Sequence, residues 1–160
     1  MCYLRRLACL VGLCLGLLSG IWQDTGRWAV LTSHAAPAVT AVRSGEYKNK
    51  TRFVVELSAP VGYKVFALAD PYRIVVDLPE IIWRLGPVAT PGKGLVAAYR
   101  YGHFRPGQSR MVIDMRAPVA IAKHFILSSR DGFGYRLVLD FRRTSRAAFL
   151  RSMAQPSKRK

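Results

Sequence analysis

An internal duplication constrains the fold of this chain more than any other feature. Its repeated segments keep the same order and similar spacing, and a chain of this kind is predicted to build two copies of one structural unit. The matched pairs are residues 39–45 (VTAVRSG) with 96–102 (VAAYRYG), 51–61 (TRFVVELSAPV) with 109–119 (SRMVIDMRAPV), and 72–78 (YRIVVDL) with 135–141 (YRLVLDF).

The repeated segments alternate between apolar and polar residues. Phe53, Val55 and Leu57 fall on one face of a strand, and the intervening residues fall on the other. No long segment between residues 39 and 141 has the period of an amphipathic helix. Each copy is therefore predicted to form four short strands with one apolar face, and packing of two such faces gives a sandwich. We expect an all-β fold, a β-sandwich of two symmetric, internally repeated four-stranded sheets.

Four of the predicted strands carry arginine, valine and an acid at alternate positions of the polar face. Pairing within each copy would stabilise the sheets by about 0.2–1 kcal/mol for each opposed pair and would help to fix the register. This interpretation predicts Arg52 opposite Asp77, Arg73 opposite Glu56 and Arg110 opposite Asp140. In the alternative interpretation, the arginines offer forked donors to ligand carboxylates. The candidate residues are Arg52, Arg73, Arg110 and Arg136.

The chain divides into a leader, two repeats and a tail. Residues 1–38 contain Arg5 and Arg6 before a short apolar run, which predicts a signal peptide for export followed by a poorly ordered segment. An uncleaved membrane anchor is the alternative. A β-sandwich is expected over 39–142, with repeat one at 39–79, a connector at 80–95 and repeat two at 96–142. Within the connector, residues 81–83 (IIW) are expected to cover an edge of the sandwich. Residues 143–160 form a basic tail or linker, with a helical turn or two expected at 146–155.

The formal net charge of +16 predicts attraction to polyanions. In an exported protein these would be peptidoglycan carboxylates, acidic wall polymers or an anionic membrane surface. The export signal argues against nucleic acid as a partner.

The residues that catalysis or metal binding would need are scarce. Cys2, Cys9 and Cys14 all precede residue 38, so we expect no disulfide or reactive thiol in the exported part. The histidines His34, His103 and His124 do not have the spacing of zinc ligands. We expect no catalytic residue, no metal and no cofactor in this chain.

Residues 99–107 (YRYGHFRPG) mix aromatic and cationic side chains. Such a mixture suits stacking on sugar rings or contact with acidic polymers. The alternative is an ordinary strand that leads into a hairpin turn. The candidate ligand-binding residues here are Tyr99, Tyr101, His103, Phe104 and Arg105.

Residues 51–79 resemble the AMIN domain, most specifically at residues 70–79 (DPYRIVVDLP), and the resemblance extends over about 39–142. It implies a sandwich of two symmetric sheets, a periplasmic location and peptidoglycan binding. It also implies targeting of a zinc-dependent N-acetylmuramoyl-L-alanine amidase to the division septum, with other envelope or divisome proteins as further partners. The catalytic domain of such an amidase does not follow before Lys160. We therefore expect a non-catalytic chain from a truncated, split or free-standing gene.

Two alternatives to wall targeting remain open. AMIN domains also occur in secretins, so the chain could be a protein-interaction module of a secretin or pilus-type envelope assembly. General adhesion to polyanions through the basic surface is the other alternative, and it predicts binding that salt abolishes.

Overall fold

The computed structural model describes residues 35–86, 89–128 and 134–153. The predicted signal peptide thus falls almost entirely outside the described residues, as do most of the turn at 128–134 and the end of the basic tail. The elements in the described ranges are β1 (Ala38–Tyr47), β2 (Lys50–Leu57), β3 (Lys64–Leu68), β4 (Arg73–Pro79), β5 (Ile82–Trp83), β6 (Ala89–Pro91), β7 (Val96–Arg105), β8 (Gln108–Met115), β9 (Val119–Leu127), β10 (Tyr135–Arg143) and the helix α1 (Arg146–Met153).

The strands form two sheets, which confirms the predicted all-β sandwich. The strand order is β5-β1-β2-β10-β9 in the first sheet and β3-β4-β8-β7-β6 in the second. The predicted count of four strands a sheet was wrong, because the connector adds one edge strand to each. Ile82–Trp83 pairs in parallel with β1, and Ala89–Pro91 pairs antiparallel with β7.

Each sheet takes two long strands from each repeat, so the expectation of one sheet from each copy was wrong. The chain crosses from the first sheet to the second between β2 and β3, near the buried Val61. The second copy makes the reverse crossing between β8 and β9. The two sheets are therefore equivalent, with β1, β2, β10 and β9 of the first matching β7, β8, β4 and β3 of the second.

This topology changes the partners of the repeated arginines. The predicted pairs of Arg52 with Asp77, Arg73 with Glu56 and Arg110 with Asp140 do not form. The two central pairs of strands each join one repeat to the other, and every repeated arginine faces an acid of the other copy. The opposed residues are Arg52 and Asp140, Arg136 and Glu56, Arg110 and Asp77, and Arg73 and Asp114.

The core lies between the two sheets and is filled by the inward residues of the alternating strands. Fully buried side chains include Phe53, Phe141, Ile74, Ile113 and Leu139. The connector covers one open edge. Ile81 is buried, and the ring of Trp83 stacks on Tyr101 with 4.7 Å between centroids, whereas Ile82 remains 46% exposed.

Helix α1 packs near the opposite edge, against β3 and β9. Ser145 caps it, since its Oγ accepts a hydrogen bond of 3.3 Å from the Ala148 amide. Phe149 is completely buried and meets the ring of Tyr72 edge to face, with 5.0 Å between centroids. The short helix expected at 146–155 thus forms and contributes a side chain to the core. No helix in the described ranges is long and apolar enough to cross a membrane.

Gly94→Ala is expected to destabilise the fold by about 1–2 kcal/mol. The backbone conformation at this position disfavours a side chain, and the added Cβ would clash with Thr51. Gly94 has a φ of +61°, and an added Cβ would lie 2.5 Å from Thr51 Oγ1. That oxygen accepts the amide hydrogen bond of Leu95 at 3.0 Å, so its displacement also disturbs the turn. Urea unfolding of the variant measures the loss.

Gly62→Ala is the matched control, since no atom of the described residues lies within 4 Å of the position that a Cβ would take there. We expect little or no destabilisation from this substitution. Equal stability of Gly94→Ala and the parent would contradict the role given to Gly94.

Candidate ligand-binding faces

The outer face of each sheet carries a bidentate arginine–aspartate pair at equivalent positions. On the first sheet, Arg52 donates from Nε to Asp140 Oδ1 at 2.7 Å and from Nη2 to Oδ2 at 2.9 Å. On the second, Arg110 donates from Nε to Asp77 Oδ1 at 2.6 Å and from Nη2 to Oδ2 at 2.9 Å. The fork of the guanidinium matches both carboxylate oxygens, so the plane of each arginine is fixed on its sheet.

An exposed aromatic ring lies beside each of these pairs. The ring of Phe104 is 49% exposed and its centroid is 3.5 Å from the Arg110 guanidinium carbon. Tyr47 is 55% exposed, with its ring centroid 5.8 Å from the guanidinium carbon of Arg52. We call Tyr47, Arg52 and Asp140 the first cluster and Phe104, Arg110 and Asp77 the second cluster. Each presents a ring and a held guanidinium to solvent, which suits stacking against a sugar ring or a peptide plane.

A second ion pair accompanies each cluster on the same face. Arg43 Nη2 lies 2.7 Å from Glu56 Oε1, and Nη1 of its counterpart Arg100 lies 2.5 Å from Asp114 Oδ2. The acids of both faces are thus neutralised by arginines. Arg136 on the first face and Arg73 on the second add one further positive charge each, so each face carries more arginines than acids.

Charge in the first cluster persists over a wide pH range. The hydrogen bonds from Arg52 lower the pKa of Asp140 from 3.8 to about 2, although burial acts to raise it, and Lys50 Nζ at 2.8 Å adds to the lowering. The same contact with Asp140 raises the pKa of Arg52. Both groups are consequently ionised at neutral pH.

Comparison with known proteins now places the chain in a family. The family model for the AMIN domain matches residues 41–132, which is more than half of the chain. The chain belongs to the AMIN domain family. The resemblance inferred from residues 51–79 is confirmed.

Two curated relatives of this AMIN domain are amidases. It is 32% identical over 117 residues to the N-acetylmuramoyl-L-alanine amidase AmiC of Neisseria meningitidis serogroup B, a match that covers 70% of this chain and 28% of the relative. It is 34% identical over 116 residues to the N-acetylmuramoyl-L-alanine amidase AmiC of Escherichia coli O6:H1, a match that covers 66% of this chain and 26% of the relative. The matched region thus spans little more than a quarter of either amidase.

The five candidate residues within 99–107 do not form one surface in the folded AMIN domain. Tyr99 is 8% exposed and packs edge to face on Phe53, so its ring is part of the core. Tyr101 stacks on Trp83 and donates from its hydroxyl to the Gly86 carbonyl at 2.6 Å. The side chains that reach the surface are those of His103, Phe104 and Arg105.

The four candidate arginines lie on the outer faces of the AMIN domain. Arg52 and Arg110 form the clusters. Arg73 donates from Nε to the Pro71 carbonyl at 3.3 Å and lies opposite Asp114, while Arg136 lies opposite Glu56.

Sequence reasoning missed Tyr47 as a candidate. The alignment of the repeats that matches Arg43 with Arg100 also matches Tyr47 with Phe104, so this signal was available. His124 contacts a residue outside the clusters, since its Nδ1 lies 3.0 Å from Tyr63 Oη, and burial lowers the pKa of this imidazole. Among the described residues, no group of three or more acids, histidines or cysteines could hold a metal ion.

Proposed function

We propose that this AMIN domain binds peptidoglycan through the first and second clusters. The observation that supports this most directly is the repetition of one arrangement, an exposed ring beside an arginine held by an aspartate, on the outer faces of both sheets. The membership of the family and the amidase relatives support the same ligand class.

The chemistry of the clusters suits a polymer of sugars and acidic peptides. The exposed rings of Tyr47 and Phe104 can stack on the apolar face of a sugar. Each guanidinium has more N–H donors than its aspartate accepts, and these can bind hydroxyls or carboxylates of the polymer. Because a cluster lies on each side of the sandwich, one domain can contact two strands of the wall.

The proposal includes a wider role, which the two amidase relatives support as far as an association with a peptidoglycan amidase. The domain works in the periplasm, where it directs an N-acetylmuramoyl-L-alanine amidase to the wall at the division septum. This chain supplies binding and not the hydrolytic chemistry. The signal peptide at 1–38, the sandwich boundaries at 39–142 and the divisome partners are parts of the same proposal.

Co-sedimentation with isolated sacculi tests this function. We expect the parent chain to pellet with sacculi at moderate salt. Tyr47→Ala combined with Phe104→Ala should weaken this binding by about tenfold, since each lost stacking contact contributes about 0.5–1.5 kcal/mol. Ile82→Ala combined with Leu150→Ala removes exposed apolar side chains outside the clusters and is expected to bind like the parent.

The outcomes separate the candidate functions. A parent chain that stays in the supernatant would contradict peptidoglycan binding and favour a protein partner, as in a secretin assembly. Pelleting that high salt abolishes and that the aromatic double variant retains would indicate general adhesion to polyanions instead.

A further inference from the structure

The two clusters lie beside hairpin turns that differ in charge although they occupy equivalent positions. The turn between β1 and β2 is Lys48-Asn49, followed by Lys50, and its counterpart between β7 and β8 is Pro106-Gly107, followed by Gln108. At the end of β10, next to Lys50, stands Arg142, and its counterpart at the end of β4 is Pro79. Three cations, Lys48, Lys50 and Arg142, thus gather at the first hairpin, whereas the equivalent positions of the second carry one, Arg105.

These residues enclose an open cavity of about 330 Å³. Its lining is Tyr47, Lys48, Asn49, Lys50 and Arg142, and carbon atoms make up most of the exposed lining. This volume is at the low end of the range for small-ligand pockets. The cavity therefore suits a small group with an apolar part beside a negative charge.

The charge at this cavity is only partly neutralised within the protein. Lys50 Nζ contacts Asp140 at 2.8 Å, but Asp140 already accepts two hydrogen bonds from Arg52. One buried carboxylate thus serves two cations, and Lys48 and Arg142 add two more charges at the rim. An anion in the cavity would restore the balance.

The backbone at Lys48 is strained in a way that the second hairpin avoids. Lys48 has a φ of +23°, whereas the positive φ of the second turn, +74°, falls on Gly107. A glycine or asparagine would relieve the strain in the first turn. A lysine at such a position is consistent with a demand for its charge there.

We infer that this cavity is a carboxylate-binding site for a short peptide, specifically for a terminal residue with a small apolar side chain. The carbon-rich lining favours an amino-acid carboxylate over a phosphate, which has no apolar part to bury. Under the proposed function, on which this inference rests, the ligand is a stem-peptide carboxylate of the wall. The first hairpin then binds peptide, while the second cluster is left to contact sugar.

Titration of the ¹⁵N-labelled full chain with N-acetyl-D-alanyl-D-alanine tests the inference. We expect shifts of the amide signals of Tyr47, Lys48 and Lys50, and no such shifts with the C-terminal amide of the same dipeptide. Lys48→Gln combined with Arg142→Gln should weaken binding by about tenfold or more, because hydrogen bonds to charged groups are lost. Arg84→Gln combined with Arg151→Gln removes the same charge at exposed positions elsewhere and should bind like the parent.

Three outcomes would contradict the carboxylate-binding site. Equal shifts with the acid and the amide, equal affinity of Lys48→Gln/Arg142→Gln and the parent, or displacement of the dipeptide by equimolar inorganic phosphate would overturn it. A well-dispersed spectrum of the double variant shows that it folds. If the parent pellets with sacculi and the dipeptide does not bind, the inference fails alone, whereas absence of pelleting removes the proposed function as well.

Discussion

Phe149→Ala is expected to lower the free energy of unfolding by about 3–5 kcal/mol, the range for removing a buried phenylalanine. The side chain is completely buried and supports the ring of Tyr72. Helix α1 has only eight residues, and an isolated helix of that length is not stable in water. We therefore expect the variant to lose the helix from the sandwich and to expose apolar side chains of β3 and β9.

Leu150→Ala is the matched control for this prediction. Leu150 follows Phe149 in the same helix but is 37% exposed, so its truncation should cost less than about 1 kcal/mol. Urea unfolding followed by tryptophan fluorescence gives both values. Similar losses for the two variants would show that Phe149 is not the residue that anchors the helix.

Asp140→Asn is expected to destabilise the domain by about 2 kcal/mol at neutral pH. This is the free energy that corresponds to the lowering of the Asp140 pKa from 3.8 to about 2 on folding. The folded state binds the proton more weakly than the unfolded state. The stabilisation is therefore fully present above about pH 4 and is lost as the pH falls through about 2. The stability difference between the parent and the variant should accordingly shrink across that window.

Asp70→Asn provides the control for the pH dependence. Its side chain is 76% exposed, and asparagine tolerates the left-handed backbone that Asp70 adopts at a φ of +54°. Unfolding measured from about pH 7 to about pH 2 should give the parent profile for this variant. If the free energies of unfolding of Asp140→Asn and the parent differ by the same amount at every pH, the ion pair is not the cause of the difference.

The faces of the strands were predictable, but the partners of the strands were not. Alternation places Phe53 inward and Arg52 outward whichever strand lies alongside. Because the strands that contain Arg52, Arg73, Arg110 and Arg136 share one charge pattern, several pairings satisfy their charges equally. The choice among them depends on where the chain crosses between sheets, and that is a property of the packed core around Val61.

The same reasoning applies to the candidate site. Aromatic and cationic composition singled out residues 99–107, yet composition does not distinguish an inward ring from an outward one. The alternation of β7 places Tyr99 in the core and leaves Phe104 outside, next to Arg110. Asp77 and Asp140 hold the arginines flat through contacts between repeats, so their role became visible only with the register.

The crossing of the chain between the sheets also determines when this domain can fold. The central strand β2 has β10 as its neighbour, and β4 has β8, so no sheet is complete until both repeats are available. The domain should remain unfolded during synthesis until β10 has emerged, and then form in one cooperative step. A single repeat could reach the same architecture only by associating with a second copy of itself, so a half-length chain would have to dimerise in order to fold.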